Sequence, residues 1–537
     1  MAARQPDVLA LRVPCGDDGD RIAYLDLTFR ELDRETDAWA HHLTARGIHR
    51  GTRVLLLVKP GLPLIALCFA LFKIGAVPVV IDPGMGLRGF LRCVRRTRPE
   101  ALVAIPAGIW VARLFRPTFA ATTIRITVDP QRRLAAPGQA VPPFEMAPTR
   151  ADELAAILFT SGSTGAAKGV CYEHGMFEAQ VEAIRDTYGI QPGEIDLPML
   201  PIFALFNPAL GMTTVVPEIN PSRPATVDPA RIVKAIRQCG VTNSFGSPVL
   251  WRKIGDYCRE NGIRLPSLRR ILMAGAPVPP GLMRDYREIL PENGHVHSPY
   301  GATEALPVST ISDEEVLEFA APLTLVGRGT CVGRPIPSVD VRIIRITDAP
   351  IWEWRDSLAL PPGEIGEIVV RGPAVTRAYD KLPAANEAAK IVERSGRVWH
   401  RMGDTGYLDE DGRLWFCGRK AERVVTRDGV LYTDQCEPVF NQHPHVARTA
   451  LIGLGIPGQQ VPAIVVEPRP EHWPRTPLDR AELAESLRDL GRACPTTRDI
   501  QFFFFRKQFP VDVRHNAKIH RLRLATIYAK KRPIRAP

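Results

Sequence analysis

Phe159-Thr160-Ser161-Gly162-Ser163-Thr164-Gly165-Ala166-Ala167-Lys168-Gly169 gathers small hydroxyl and glycine residues around one lysine, directly after the apolar run Ala155-Ala156-Ile157-Leu158-Phe159. Glycines let backbone N–H groups close around an anion, hydroxyls add donors, and the lysine supplies a mobile positive charge. A flexible Gly/Ser linker has a similar composition. A buried strand running straight into the loop anchors it, which favours a polyphosphate-holding loop. The stretch is not a Walker A loop, which needs Gly-Lys followed by Ser or Thr, because Lys168 follows Ala167 and precedes Gly169.

Outward from this loop the chain alternates between strand and helix patterns. Upstream, 52–58 has the composition of a buried strand, 63–74 of a helix and 76–81 of a second strand, a βαβ unit whose near-continuous apolar strands predict a parallel sheet covered on both faces. The alternation recurs downstream: a strand over 155–159, a helix after Glu173, a helix over 229–239, a strand near 241–245, a helix from Pro248 and a strand over 270–273. The expected fold class is α/β, with doubly wound sheets in a large N-terminal domain. After Gly333 short alternating strands, 339–346 and 364–370, predict a smaller β-rich subdomain. Beyond Arg419 strands over 423–426, 450–454 and 463–466 and a helix over 479–494 predict a small α+β domain. The expected organisation is 1–417, a hinge at 418–421, and a mobile C-terminal domain at 422–537. Pro-rich stretches at 130–149 and 217–230 are expected to be surface connections.

The chain has 537 residues, too many for one ordinary core, with 45% hydrophobic and 24% charged residues. A net charge of +11 is spread along the chain with no run of five basic residues, which favours a cationic surface suited to anionic ligands over a nucleic-acid-binding role. Its 10 cysteines form no C-x-x-C pair and predict free thiols of a reducing cytosol. The most apolar region, 61–82, is interrupted by Lys73 and Pro78, so no transmembrane segment is expected, and Met1-Ala2-Ala3-Arg4 shows no signal peptide.

Three further clusters carry chemistry. Tyr300-Gly301-Ala302-Thr303-Glu304 sets an aromatic face, a small residue, a hydroxyl and a carboxylate together, though a surface turn has the same composition. Gly403-Asp404-Thr405-Gly406-Tyr407 offers an aspartate suited to a vicinal diol, and the following Asp409-Glu410-Asp411-Gly412 is a hairpin turn by composition. Arg514-His515-Asn516-Ala517-Lys518 places cations near the C-terminus, as a solvated tail also would.

In this order, the clusters resemble the adenylate-forming superfamily of acyl-CoA synthetases, luciferases and peptide-synthetase adenylation domains. The resemblance covers nearly the whole chain, from Leu27-Thr28-Phe29-Arg30-Glu31-Leu32-Asp33 and Gly51-Thr52-Arg53-Val54 through Gly275-Ala276-Pro277 to Gly418-Arg419 and Lys518. It implies ATP and Mg²⁺ as cofactors. It assigns Thr160, Ser161, Gly162, Ser163, Thr164, Gly165 and Lys168 to the β- and γ-phosphates, and Gly275, Ala276, Pro277, Tyr300 and Gly301 to the adenine side. Thr303 falls to the α-phosphate, Glu304 to the metal, and Asp404 with Arg419 to the ribose. Lys518 is implied as the catalytic lysine bridging carboxylate and α-phosphate.

Three departures bear on the second half of the reaction. Where acyl-CoA synthetases carry a Pro-Leu-Phe-His type sequence, this chain has Pro201-Ile202-Phe203-Ala204; Ala421 stands where the hinge usually has Asp or Lys; and Ala517, not glycine, precedes Lys518. With Gly329-Thr330-Cys331-Val332-Gly333-Arg334-Pro335, they resemble the β-lactone-forming branch of bacterial long-chain olefin biosynthesis. That resemblance implies a long-chain 2-alkyl-3-hydroxy acid as substrate, with 202–212 contributing to its pocket. It also implies a cytoplasmic or membrane-peripheral location and association with the pathway's β-lactone decarboxylase and dehydrogenase. An acyl-CoA synthetase or fatty acyl-AMP ligase is the alternative, and a non-catalytic nucleotide-binding regulator a third. His295 and His297 are candidates for the base that takes the hydroxyl proton, against an ordinary structural role for each.

Overall fold

The computed structural model describes residues 1–129, 132–136, 138–160, 167–220, 226–511 and 519–536. Two large sheets dominate. A six-stranded sheet runs in the order Ile124–Thr127, Ala101–Ala104, Arg53–Leu57, Val77–Ile81, Leu154–Thr160 and Lys168–Glu173, parallel except for its last strand. Alternate residues of its strands feed separate cores. Val54 and Leu56 pack with the helices Phe29–Thr44 and Leu62–Ile74, whereas Leu55, Leu102 and Ile157 pack with Gly86–Thr97 and Pro106–Leu114 on the other face. This two-sided burial explains the continuous apolar runs.

A nine-stranded sheet is built around the parallel strands Leu9–Asp18, Thr213–Val215, Ile195–Asp196, Asn243–Gly246, Arg270–Met273 and His295–Ala302. Antiparallel strands close both sides: Ala305–Ser312 and Arg334–Pro335 at one, Arg21–Thr28 at the other. The helix Pro229–Cys239 begins and ends as expected because Asp228 caps its N-terminus, Pro229 opens it and Gly240 adopts a left-handed C-cap.

The β-rich part is an antiparallel sheet in the order Thr330–Cys331, Leu414–Arg419, Val398–Leu408, Gly366–Arg371 and Asp340–Ile344, with Lys390–Val392 also pairing to Val398–Leu408. Past Lys420–Glu422, a single 3₁₀ turn, comes a four-stranded sheet of Val446–Leu454, Val461–Pro468, Phe502–Phe505 and Ile534–Arg535. Against it pack the helices Thr433–Phe440 and Pro477–Arg492. The strand expected at 423–426 shrinks to Val424–Val425, paired with Val430–Leu431, because Thr426 already turns the chain by bonding Gly429. All cysteines are free, and among the described residues no helix is long and apolar enough to cross a membrane.

Candidate active site

Thr303 and Glu304 form the turn of a hairpin between the strands His295–Ala302 and Ala305–Ser312. The hairpin is tight at Gly301, where a Cβ would lie 2.6 Å from the carbonyl oxygen of Ala305. Its carbonyls are fixed from behind. Tyr172 donates to the Thr303 oxygen at 2.5 Å, and the Thr376 amide and hydroxyl donate to the Glu304 oxygen at 2.9 and 3.1 Å. The Glu304 carboxylate accepts from the Tyr379 hydroxyl at 2.7 Å.

Tyr379 also carries two ammonium groups on its ring, Lys168 Nζ at 4.6 Å and Lys390 Nζ at 5.5 Å from the centroid. Lys390 is buried and donates to the carbonyl and hydroxyl of Thr376. Burial pulls its pKa down to about 7. Beside them His400 is buried with no hydrogen bond at Nδ1 among the described residues, and burial holds its pKa well below the ordinary histidine value. Tyr379, Lys390 and His400 have no motif of their own and are dispersed in sequence, so only the fold brings them to Glu304.

A second polar group lies further along the strand that carries His400. Asp404, on Val398–Leu408, is paired in register with Arg419 on Leu414–Arg419, and their side chains meet at 2.7 Å. Tyr300 donates to the other oxygen of Asp404 at 2.6 Å. The Asp404 charge raises the Arg419 pKa, while burial, reinforced by that same charge, raises the Tyr300 phenol's. Gly418 has φ 137°, and a Cβ there would meet Thr433 Oγ1 at 2.3 Å. Lys420 is held 3.1 Å from the buried Glu367, which also pairs with Arg401 at 2.6 Å.

A cleft of about 2060 Å³ connects these groups to an apolar lobe. Its polar wall includes Lys168, Thr303, Glu304, Tyr379, His400, Arg419 and Lys420. The apolar wall comes from Leu64, Phe69 and Phe72 of Leu62–Ile74, Phe177 and Val181 of His174–Tyr188, and Ile202, Phe203, Leu205 and Phe206. Phe203 is fixed by stacking on Phe245 at 3.7 Å. Ala204 faces the other way, 5% exposed in the core around Leu62–Ile74, and is not on this wall.

Ser161, Gly162, Ser163, Thr164, Gly165 and Lys518 lie outside the described residues. Thr160 ends the strand Leu154–Thr160 and pairs with Lys168, so the loop leaves and re-enters the sheet at the cleft. Gly275, Ala276 and Pro277 follow the strand Arg270–Met273 in a partly exposed loop off the cleft wall; that strand pairs with the one carrying Tyr300. His295 and His297 are not on the wall either: His295 faces Asp313 at 3.3 Å, and burial pushes His297 down to about 4.

The profile of the family described as AMP-binding enzyme matches residues 1–380. The chain belongs to that family. Olefin beta-lactone synthetases of Xanthomonas campestris pv. campestris and Stenotrophomonas maltophilia are 46% and 44% identical to this AMP-binding enzyme, over 99% and 98% of the chain and 96% of each relative. A solved O-succinylbenzoate coenzyme A synthetase of Bacillus subtilis, in complex with ATP and magnesium ion, has a TM-score of 0.75 and 24% identity, covering 97% of this chain and 98% of its own. An amide bond synthetase of Marinactinospora thermotolerans also has a TM-score of 0.75, at 24% identity over 97% of each chain. These structures share the α/β fold with its large N-terminal and small C-terminal domains. The protein is an adenylate-forming ligase.

Proposed function

We propose that this ligase converts a long-chain 2-alkyl-3-hydroxyalkanoic acid to a β-lactone, with ATP as substrate and AMP and pyrophosphate as products. The observation that carries the reading is the continuity of one cleft from the polar Glu304 and Arg419 side to a wall of phenylalanines, which joins polar groups suited to a nucleotide to apolar walls suited to alkyl chains. Two relatives at 46% and 44% identity are named olefin beta-lactone synthetases, which supports lactone formation as the outcome.

In the first step a carboxylate oxygen attacks the α-phosphorus and the bond to pyrophosphate breaks. Lys168 and the loop at 160–169 are assigned to the departing phosphates, Tyr300 with the loop at 275–277 to adenine, and Asp404, oriented by Arg419, to the ribose hydroxyls. Thr303 contacts the α-phosphate. Lys518, carried by a mobile domain at 422–537 that swings about 418–421, neutralises charge as it develops between carboxylate and phosphate. Glu304 would hold Mg²⁺ as a hard oxygen ligand, its carboxylate accepting from the Tyr379 hydroxyl at 2.7 Å. When bound, that ion neutralises phosphate charge; the chain's own part is to hold the Glu304 carboxylate through Tyr379.

In the second step the substrate's 3-hydroxyl oxygen attacks the acyl carbon, its proton passes to solvent, and the bond from that carbon to AMP breaks with its electron pair staying on the AMP phosphate oxygen. A well-oriented internal nucleophile acts as though present at roughly 10⁵–10⁸ M, so no thiol is required. The test incubates the protein with ATP, Mg²⁺ and a syn 2-alkyl-3-hydroxy acid without coenzyme A. Lactone and AMP are expected in equal amounts; unchanged acid, or product only as a thioester once coenzyme A is added, would overturn the reading.

A further inference from the structure

The helices Gly86–Thr97 and Pro106–Leu114 share one face of the six-stranded sheet, joined beneath by a core of Cys93, Val94, Ile109, Ala112 and Phe119. On Pro106–Leu114, positions 107, 110, 111 and 114 follow the i, i+3, i+4, i+7 spacing of a single helical stripe. Ala107 and Val111 stand on the cleft wall, whereas Trp110 and Leu114 are 69% and 76% exposed. An apolar stripe thus runs from the cleft out to solvent.

The neighbouring helix supplies charge. Arg88, Arg92 and Arg95 are exposed along one side of Gly86–Thr97, and Leu87 beside them is 52% exposed. From Pro83 to Pro117 the chain carries seven arginines, at 88, 92, 95, 96, 98, 113 and 116, against one carboxylate, Glu100. The Arg113 guanidinium lies over the Trp110 ring at 5.8 Å.

We propose that this face docks on an anionic phospholipid bilayer, with Trp110, Leu114 and Leu87 entering the acyl boundary and the arginines resting on headgroup phosphates. Charge of one sign across two helices calls for a densely anionic partner. The exposed indole and leucines call for hydrocarbon beneath that charge, which a nucleic acid does not offer and a bilayer does. Because the stripe is continuous with the cleft, docking would place its mouth at the layer where alkyl chains reside. The proposal goes beyond the reaction above and does not depend on which acid is adenylated.

Sedimentation of the full chain with vesicles of phosphatidylcholine alone, or of phosphatidylcholine with phosphatidylglycerol, tests it. Binding is expected only with phosphatidylglycerol and is expected to weaken with salt. The pairs Trp110→Ser with Leu114→Ser and Arg88→Gln with Arg92→Gln are each expected to weaken it about tenfold or more, with melting temperature unchanged. No sedimentation, or equal sedimentation of both variants and the parent, would overturn the proposal. So would a dimer lost in the Trp110 and Leu114 variant, which would assign the face to a second copy. Duplex DNA binding lost only in the arginine variant would assign it to nucleic acid, with the same consequence.

Discussion

Tyr379 donates its hydroxyl to Glu304 at 2.7 Å while its ring lies 4.6 Å from the Lys168 ammonium, so one side chain orients the carboxylate and receives the loop's lysine. Tyr379→Phe keeps the ring and removes only the hydrogen bond. Groups that orient a metal-binding carboxylate commonly contribute about ten- to a hundredfold in metal affinity. Pyrophosphate release measured against Mg²⁺ concentration is expected to need correspondingly more Mg²⁺ for half-maximal rate, with ATP saturation little changed. An unaltered Mg²⁺ dependence would show that the bond does not position Glu304 for metal.

Asp404 accepts from Tyr300 at one carboxylate oxygen and from Arg419 at the other, which fixes its orientation. Asp404→Asn replaces a charged acceptor by a neutral amide. A charge-assisted hydrogen bond of this kind amounts to about 1.5–3 kcal/mol. The KM for ATP is therefore expected to rise about ten- to a hundredfold, with a smaller change in kcat. A fall in kcat at constant KM would move Asp404 from nucleotide binding to the chemical step.

Lys518 is assigned from its motif alone, and its side chain lies outside the described residues. Arg521, three positions on, is anchored by Glu437 at 2.6 Å and Glu422 at 3.0 Å, which ties this end of the chain to the 3₁₀ turn Lys420–Glu422 and the helix Thr433–Phe440. Lys518→Ala is expected to slow acid-dependent pyrophosphate release by a factor on the order of 10²–10³. Wild-type rates in this variant would remove Lys518 from the first step.

The legible parts of the fold were those written in local signals. The helix Pro229–Cys239 and the strand Arg270–Met273 carry their own caps and apolar period, and Thr303 with Glu304 falls in the turn that composition allowed. What local pattern cannot carry is pairing across the chain. Leu9–Asp18 lies beside Thr213–Val215, and Tyr379 meets a carboxylate 75 positions away, through contacts that exist only once the sheets have formed. Lys390 looks in sequence like any surface lysine, and its burial follows from Lys390–Val392 pairing with Val398–Leu408.

That burial makes Lys390 a source of pH-dependent stability. Its pKa falls from 10.5 to about 7, chiefly through burial, with Lys168 lowering it further and Glu304 and Cys171 opposing. Below about pH 7 folded and unfolded chains both hold the proton; between about 7 and 10.5 only the unfolded chain does, so the contribution of this group to stability rises with pH and is complete above that range. Lys390→Met is expected to reduce the rise in Tm between about pH 7 and pH 9 relative to the parent. Parallel Tm curves for the two proteins would show that the amine is not shifted by its site.

Placing histidine at position 204 tests whether this side chain alone would confer thioester chemistry. Ala204 is 5% exposed and packs into the core beside Leu62–Ile74, while its neighbours Phe203 and Leu205 line the cleft. An imidazole there must either overpack that core, at about 1–3 kcal/mol, or twist the 201–205 turn and displace the aromatic wall. Ala204→His is therefore expected to lower Tm and to form no acyl thioester when coenzyme A is supplied with ATP and a fatty acid. A folded variant that gains thioester synthesis would place the side chain in the cleft and make this one substitution the determinant of acyl fate.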